Sequence, residues 1–535
     1  MVVLAFALGC ATVAVDSGAP QEPPPMEIGR LASRLSLDIL GRRPTESELL
    51  AVRLDPASLE AQVQTWLADP AFEERVVSLF ADVYRTRPDR YVVEADGDAA
   101  FHDLTYRAQF MRSVGEEPLR LVGRVAALDL PWTDVVTADW TLANDLLLAH
   151  FPIEALESGG EGWRPARYLD GRPAAGVLGT NGMWWRYTST TDNLNRGRAA
   201  AIARILLCDQ RYDGTVDFQK SEEADVSARI STDPACVACH VSLDPIASTL
   251  WGFWRHHPES YTEALRYYPS RELDWASRPV APPGFYGQDV DSLYELGQAI
   301  ADDPRFGNCA VAQTWSFLLG REPTVAETDR FNDDRDAFVR GGLVYRNLFR
   351  AVADDPWYRS DSADFEGTTA PRRLTPDQLA ASVEALTGYR WTVADGIDAM
   401  VNDTWGFRIL NGGVDGSLVV TSPATESAPV ALVQERLAEL AAPYAVADEL
   451  LLPAGDRVLF REVQSLEAEP TDEELRAQIA GLLLRVHGAA AAVDSEQVTI
   501  LVELWTTLRA ESSGPAEAWA WLLSALFRHP DFVLY

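Results

Sequence analysis

The sequence predicts a mainly α protein, several helical modules with few short strands, and three observations carry that expectation. First, apolar residues recur at helical spacing. Val76, Phe80, Val83 and Tyr84 share a face in EERVVSLFADVYR, as do Ile202, Ile205 and Leu206 in RAAAIARILLC. Second, helix punctuation is plentiful. Residues 40–48, LGRRPTESE, and 319–327, LGREPTVAE, echo each other. In each, a glycine (Gly41, Gly320) suits a left-handed C-cap and a threonine (Thr45, Thr324) caps the next helix. A glutamate three residues on (Glu48, Glu327) closes a capping box, and Pro44 or Pro323 stiffens the entry. RRLTPDQLAASVEALTG repeats the logic: Thr375 caps, Pro376 takes the first helical position, Gln378 completes the box and Gly388 stops the helix. Third, strand patterns are scarce, with SLVVTS at 417–422 and RVLF at 457–460 as short exceptions.

A chain of 535 residues is too long for one core, so roughly two to four domains are expected. Gly/Pro-rich, coil-like stretches near 157–180, 268–290 and 360–372 suggest boundaries. The resulting layout is a signal peptide and tether over 1–26, an N-terminal helical module over 27–100 and a second over 101–165. A cysteine-bearing module over 166–262, another helical module over 263–362 and a C-terminal helical domain over 363–535 follow. The formal net charge is −34, and Lys220 is the only lysine. Such an acidic surface argues against nucleic acid and against attraction to anionic lipid, and suits solubility or basic partners.

The chain begins MVVLAFALGCATVAVDSGAPQEPPP. Its apolar run ends at Gly9-Cys10 and is too short to span a bilayer. Small residues before a cysteine resemble a bacterial lipoprotein cleavage site, with Cys10 as the lipidated first residue and residues 11–26 as a tether. This places the protein in the cell envelope, as a periplasmic or outer-membrane lipoprotein, or outside the cell, with a lipid anchor as the only membrane contact. The plainer alternative is an ordinary signal peptide.

DPACVACHVSLDPIASTLWGFW, residues 233–254, holds two cysteines three apart with a histidine beside the second. Structural zinc needs four ligands, usually a second pair at similar spacing, and Cys208 and Cys309 are single and distant. A thioredoxin-like dithiol wants an α/β setting. Cys-x-x-Cys-His fits haem c: Cys236 and Cys239 form thioethers to the porphyrin, and His240 lies beneath the iron as axial ligand. The carbonyl of Pro245, five residues on, is placed to accept the His240 Nδ1 proton and so fix the tautomer. Trp251, Phe253 and Trp254 supply apolar cover or ordinary core.

The same stretch resembles the haem motif of planctomycete-type cytochrome c domains, in which Asp-Pro follows, as in Asp244-Pro245. RLSLDILGRRPTESEL with LADPAFEERVVSLFADVYR is similar to an N-terminal module of these proteins. EEPLRLVGRVAALDLPWTDVVTADWTLANDLLLAHF is similar to the module that precedes the haem one. GVLGTNGMWWRYTSTTDNLNRGRAAAIARILLC resembles the opening of the haem module, and CAVAQTWSFLLGREPTVAE the module after it. The module order matches too. The resemblance implies a mainly helical, secreted or envelope protein; it names no substrate and no sixth iron ligand.

Met183, in GTNGMWWRYTS, is the expected sixth ligand, with His256 or His257, or no protein ligand, as alternatives; core packing is its bland role. Arg186, Arg196 and Arg198 are candidates to hold haem propionates, against an ordinary surface role. Cys208 and Cys309 remain as a disulfide pair in an oxidising compartment, or as two buried thiols. There is no Gly-rich phosphate loop, no His-Glu-x-x-His and no Gly-x-Ser-x-Gly. The expected function is that of an envelope-anchored mono-haem c-type cytochrome passing electrons to a redox partner protein. The alternatives are a haem enzyme, such as a peroxidase or oxidase subunit, and a surface or scaffold protein stabilised by haem.

Overall fold

The computed structural model describes residues 24–87, 99–157, 159–160, 162–189, 193–212, 232–253, 266–278, 280–360, 372–393, 396–403, 405–415, 419–420, 422 and 427–535. The chain is mainly α, as the periodicity requires. The face read from EERVVSLFADVYR lies on the helix Ala71–Tyr84, with Val76, Phe80 and Tyr84 buried and Val83 half-buried. Ile202, Ile205 and Leu206 are buried on Arg196–Leu207.

The punctuation is local chemistry and appears where the residues predict it. Gly41, Gly320 and Gly388 end their helices in the left-handed region, at φ 72°, 69° and 69°. Thr45 with Glu48, Thr324 with Glu327, and Thr375 with Gln378 each form both halves of a capping box.

Strands occur elsewhere than expected. β1 (Thr141–Ala143), β2 (Ile153–Ala155) and β3 (Arg164–Tyr168) form an antiparallel sheet in the order β1-β3-β2, pairing Thr141 with Ala166 and Ile153 with Tyr168. RVLF at 457–460 is not a strand. The amides of Val458, Leu459 and Phe460 donate to the Glu449 carboxylate instead, and the Leu459 carbonyl accepts from Gln478 and Arg485. Side chains thus satisfy the backbone where a neighbouring strand would have done so. Residues 417, 418 and 421 of the other strand pattern lie outside the described residues.

One large core runs from Met26 to Tyr358. A second joins Leu37 to residues between Leu374 and Val533. A smaller one gathers Phe101, Phe110 and Trp185 over the sheet residues Ala143, Ile153 and Ala166. No helix among the described residues is long and apolar enough to cross a membrane.

Candidate functional site

The helix Pro234–Ser248 carries the cysteine motif. Positions i, i+3 and i+4 of a helix share a face, so Cys236, Cys239 and His240 rise together from one side. All three are half-buried, and neither thiol is bonded to another.

His240 Nδ1 lies 2.9 Å from Asp244 Oδ1. This corrects the expectation that the Pro245 carbonyl accepts that proton. Helical carbonyls point toward the C-terminus, away from a residue one turn earlier, whereas a carboxylate at i+4 lies beside the imidazole. Arg196 grips the same carboxylate with a fork, Nε to Oδ1 at 2.7 Å and Nη2 to Oδ2 at 2.9 Å. Burial pushes the Asp244 carboxyl up, but the bonds from His240 and Arg196 outweigh it and hold the group below the usual carboxylate range. With Nδ1 engaged by a carboxylate, the Nε2 lone pair is the one left to bind a metal.

Arg196 reaches this position because it opens the helix Arg196–Leu207, which packs on the motif helix. Asn195, left-handed at φ 67°, makes the entry turn, and its Nδ2 donates to the Ala247 carbonyl at 3.4 Å. Asp244 acts on His240 across one helical turn. The signal was present as the His-x-x-x-Asp spacing, which becomes a contact only once the segment is a helix.

Met183 is wholly buried in the large core, on the short helix Asn181–Arg186. That helix presses close to its neighbour: a Cβ on Gly182 would stand 2.2 Å from the Val114 carbonyl oxygen. Arg186 Nε donates to the Arg85 carbonyl at 2.9 Å. Arg198 is buried, with Nε on the Tyr187 carbonyl and Nη1 on Asn195 Oδ1, and its loss of solvent lowers its pKa to about 9. Phe253 is buried edge-on to Tyr267 and tilted against Trp184, which links the end of the motif segment to the Met183 helix. Trp251 is buried as well. Cys10, Trp254, His256 and His257 lie outside the described residues. Cys208 and Cys309 are disulfide-bonded, joining the end of the helix Arg196–Leu207 to Pro304–Leu319.

A second polar centre lies in the preceding segment. Glu117 is fully buried and accepts hydrogen bonds from Thr141 Oγ1 at 3.0 Å, Tyr168 OH at 2.9 Å and the Asn181 amide at 3.1 Å. β1 and β3 deliver two of these donors. Burial nevertheless dominates and pushes the carboxyl up to about 7.

No curated protein and no solved structure matches the chain. Residues 28–153, directly N-terminal to the motif-bearing segment and including Glu117, match the family model described as PSD4, a protein of unknown function (DUF1592).

Proposed function

We propose that the chain is an envelope-anchored mono-haem c-type cytochrome that transfers electrons, with Cys10 as the lipid anchor. Cys236 and Cys239 are the thioether attachment points and His240 Nε2 the axial ligand. One observation carries the reading: two free thiols and a carboxylate-bound imidazole share one helix face at i, i+3 and i+4. That donor set fits haem c, which when bound supplies one-electron transfer. The family match upstream supports it, because it occupies the stretch where the resemblance puts the two modules before the haem one.

The chain's own residues have separable tasks. Asp244 fixes the His240 tautomer and ring orientation. Arg196 holds Asp244 and offsets its charge; with its fork filled there, its role is positioning. Met183 is the proposed sixth ligand and Arg186 a propionate partner. Met183 is dry, and dry surroundings disfavour the more charged ferric state. The Asp244 bond favours a second reading. A carboxylate-backed imidazole is a stronger donor and stabilises ferric iron, which suits a haem enzyme reacting with peroxide.

Two measurements separate the readings. Denatured protein should stain for haem on a gel, and Cys236→Ala with Cys239→Ala should abolish the stain; stain that persists in the double variant overturns the haem c reading. A six-coordinate low-spin spectrum that becomes high-spin in Met183→Ala supports electron transfer. A high-spin wild-type spectrum that shifts with cyanide supports the enzyme.

A further inference from the structure

A line of hydroxyls runs from the cysteine motif to the surface. Ser242, three residues after Cys239 and almost wholly buried, has its Oγ 3.3 Å from the Cys239 carbonyl oxygen and 2.7 Å from the Tyr212 hydroxyl. Tyr212 is hydrogen-bonded to Tyr286, whose hydroxyl donates to Asp209 Oδ2 at 3.0 Å. Three protons serve the line in one order: Ser242 donates to Tyr212, Tyr212 to Tyr286, and Tyr286 to the carboxylate. Both rings are half-buried against the large core. The line ends between two guanidiniums. Arg211 forks onto Asp209, while Arg305 lies over the Tyr286 ring, 3.9 Å from its centre, and pairs with Asp303.

The middle of the line is held at a cost. Tyr286 turns the hairpin of β4 (Gly284–Phe285) and β5 (Gln288–Asp289), with φ at 47°. Tight hairpins take Asn, Asp or Gly at such a position, and a tyrosine there is strained by about 1–3 kcal/mol. A turn that only joined two short strands would be more stable with one of those residues, so the strain belongs to holding a phenol at this spot. The hairpin also presses on the motif helix: a Cβ on Gly284 would stand 3.1 Å from Pro245 Cβ. At the outer end Asp209 follows Cys208, whose disulfide to Cys309 pins it beside the helix that carries Arg305.

We propose that Tyr212 and Tyr286 carry electrons between the haem on Cys239 and a docking patch at Arg211 and Arg305, where a redox partner with an acidic contact face binds. The route rests on the haem c reading above. Electron tunnelling decays more slowly through covalent and hydrogen bonds than across van der Waals gaps, and this path is bonded from the thioether to the surface. One electron leaves ferrous iron, which becomes ferric, and the partner, a one-electron acceptor, is reduced by one. Both phenols keep their protons, and no bond forms or breaks. The polarity of the patch follows from which member of each ion pair meets water. The Arg211 side chain is 58% exposed against 8% for Asp209, and Arg305 35% against 14% for Asp303. The exit is therefore locally positive on a chain of net charge −34, which steers an acidic face toward it.

Stopped-flow oxidation of the reduced full chain tests the route with two acceptors at low ionic strength, anionic hexacyanoferrate(III) and cationic tris(phenanthroline)cobalt(III). Hexacyanoferrate should react at the arginine patch, the cobalt complex elsewhere on the acidic surface. Tyr212→Phe and Tyr286→Phe keep the rings and remove only the hydroxyl links. Each should slow hexacyanoferrate several-fold and leave unchanged the cobalt rate, the midpoint potential and the haem stain of denatured protein. Ser242→Ala breaks the line at its inner end and should do the same, which decides the matter if a tyrosine variant does not fold. Arg211→Gln should slow hexacyanoferrate alone, and by less as salt is added. Unchanged hexacyanoferrate rates, both acceptors slowed alike, or a shifted potential would each overturn the route while the haem stain stands. A wild type without the stain would overturn the haem c reading and the route together, so the two failures are told apart.

Discussion

Glu116 and Glu117 are chemically identical neighbours that the fold treats in opposite ways. Burial pushes Glu116 up, but the guanidiniums of Arg87, Arg112 and Arg120 outweigh it and hold the carboxyl far below its usual range. For Glu117 burial wins, and its value rises to about 7. The two therefore tilt stability against pH in opposite directions. Glu117 binds its proton more tightly folded than unfolded, so its contribution is present below about 4.5 and is lost as pH rises through about 7. The expected loss is up to about 3 kcal/mol. Urea unfolding across that range should show the decline, and Glu117→Gln should flatten it. Asp244 offers a test of a different kind. If it strengthens His240 as an iron ligand, Asp244→Asn should raise the midpoint potential in a redox titration while leaving haem attachment intact. An unchanged potential would assign the contact a purely structural role.

At the scale of elements, the echoed stretches 40–48 and 319–327 build the same joint twice. Arg42 forks onto Glu48 and Arg321 onto Glu327, in addition to the capping bonds. Burial pushes both carboxyls up, and these bonds outweigh it, holding each at about 2. Glu48 also accepts from Trp66 Nε1 at 2.9 Å. Thr45→Ala should therefore cost about 1 kcal/mol in chemical denaturation, the usual loss for a cap. Glu48→Ala should cost more, about 2–3 kcal/mol, because it strands the Arg42 fork and the indole N–H together. The helix starts and stops were legible because capping involves residues within four of each other. The strands were not: β1 to β3 are three to five residues long, and RVLF has a strand's pattern without being one because Glu449 does a strand's work from a helix end.

For the whole molecule, Asp38 is the joint between the two larger cores. It is almost wholly buried, accepts a fork from Arg372, and is bonded by the hydroxyls of Tyr358 at 2.8 Å and Tyr535 at 3.0 Å. Backbone pairs between Arg372 and Tyr535 close the same seam. Asp38→Ala removes the anion and leaves a buried guanidinium uncompensated, so about 3–5 kcal/mol of stability should be lost. Unfolding followed separately by fluorescence and circular dichroism should then report whether the C-terminal helices part from the rest before the large core melts.

The sequence by itself determined the class of fold, the helix boundaries marked by Thr, Pro and Gly, and the identity of the motif residues Cys236, Cys239 and His240. Each of these depends on spacings of a few residues, within which helical geometry is nearly invariant. Only the tertiary structure decided that Arg196, 48 residues from Asp244, holds the carboxylate that His240 leans on. It alone placed Met183 in the dry interior, and it alone joined Tyr212, Tyr286 and Asp209 into a line from the motif helix to the surface. Those outcomes depend on how helices far apart in sequence pack, and a guanidinium's partner is set by which carboxylate the packing brings within reach before water can satisfy either group.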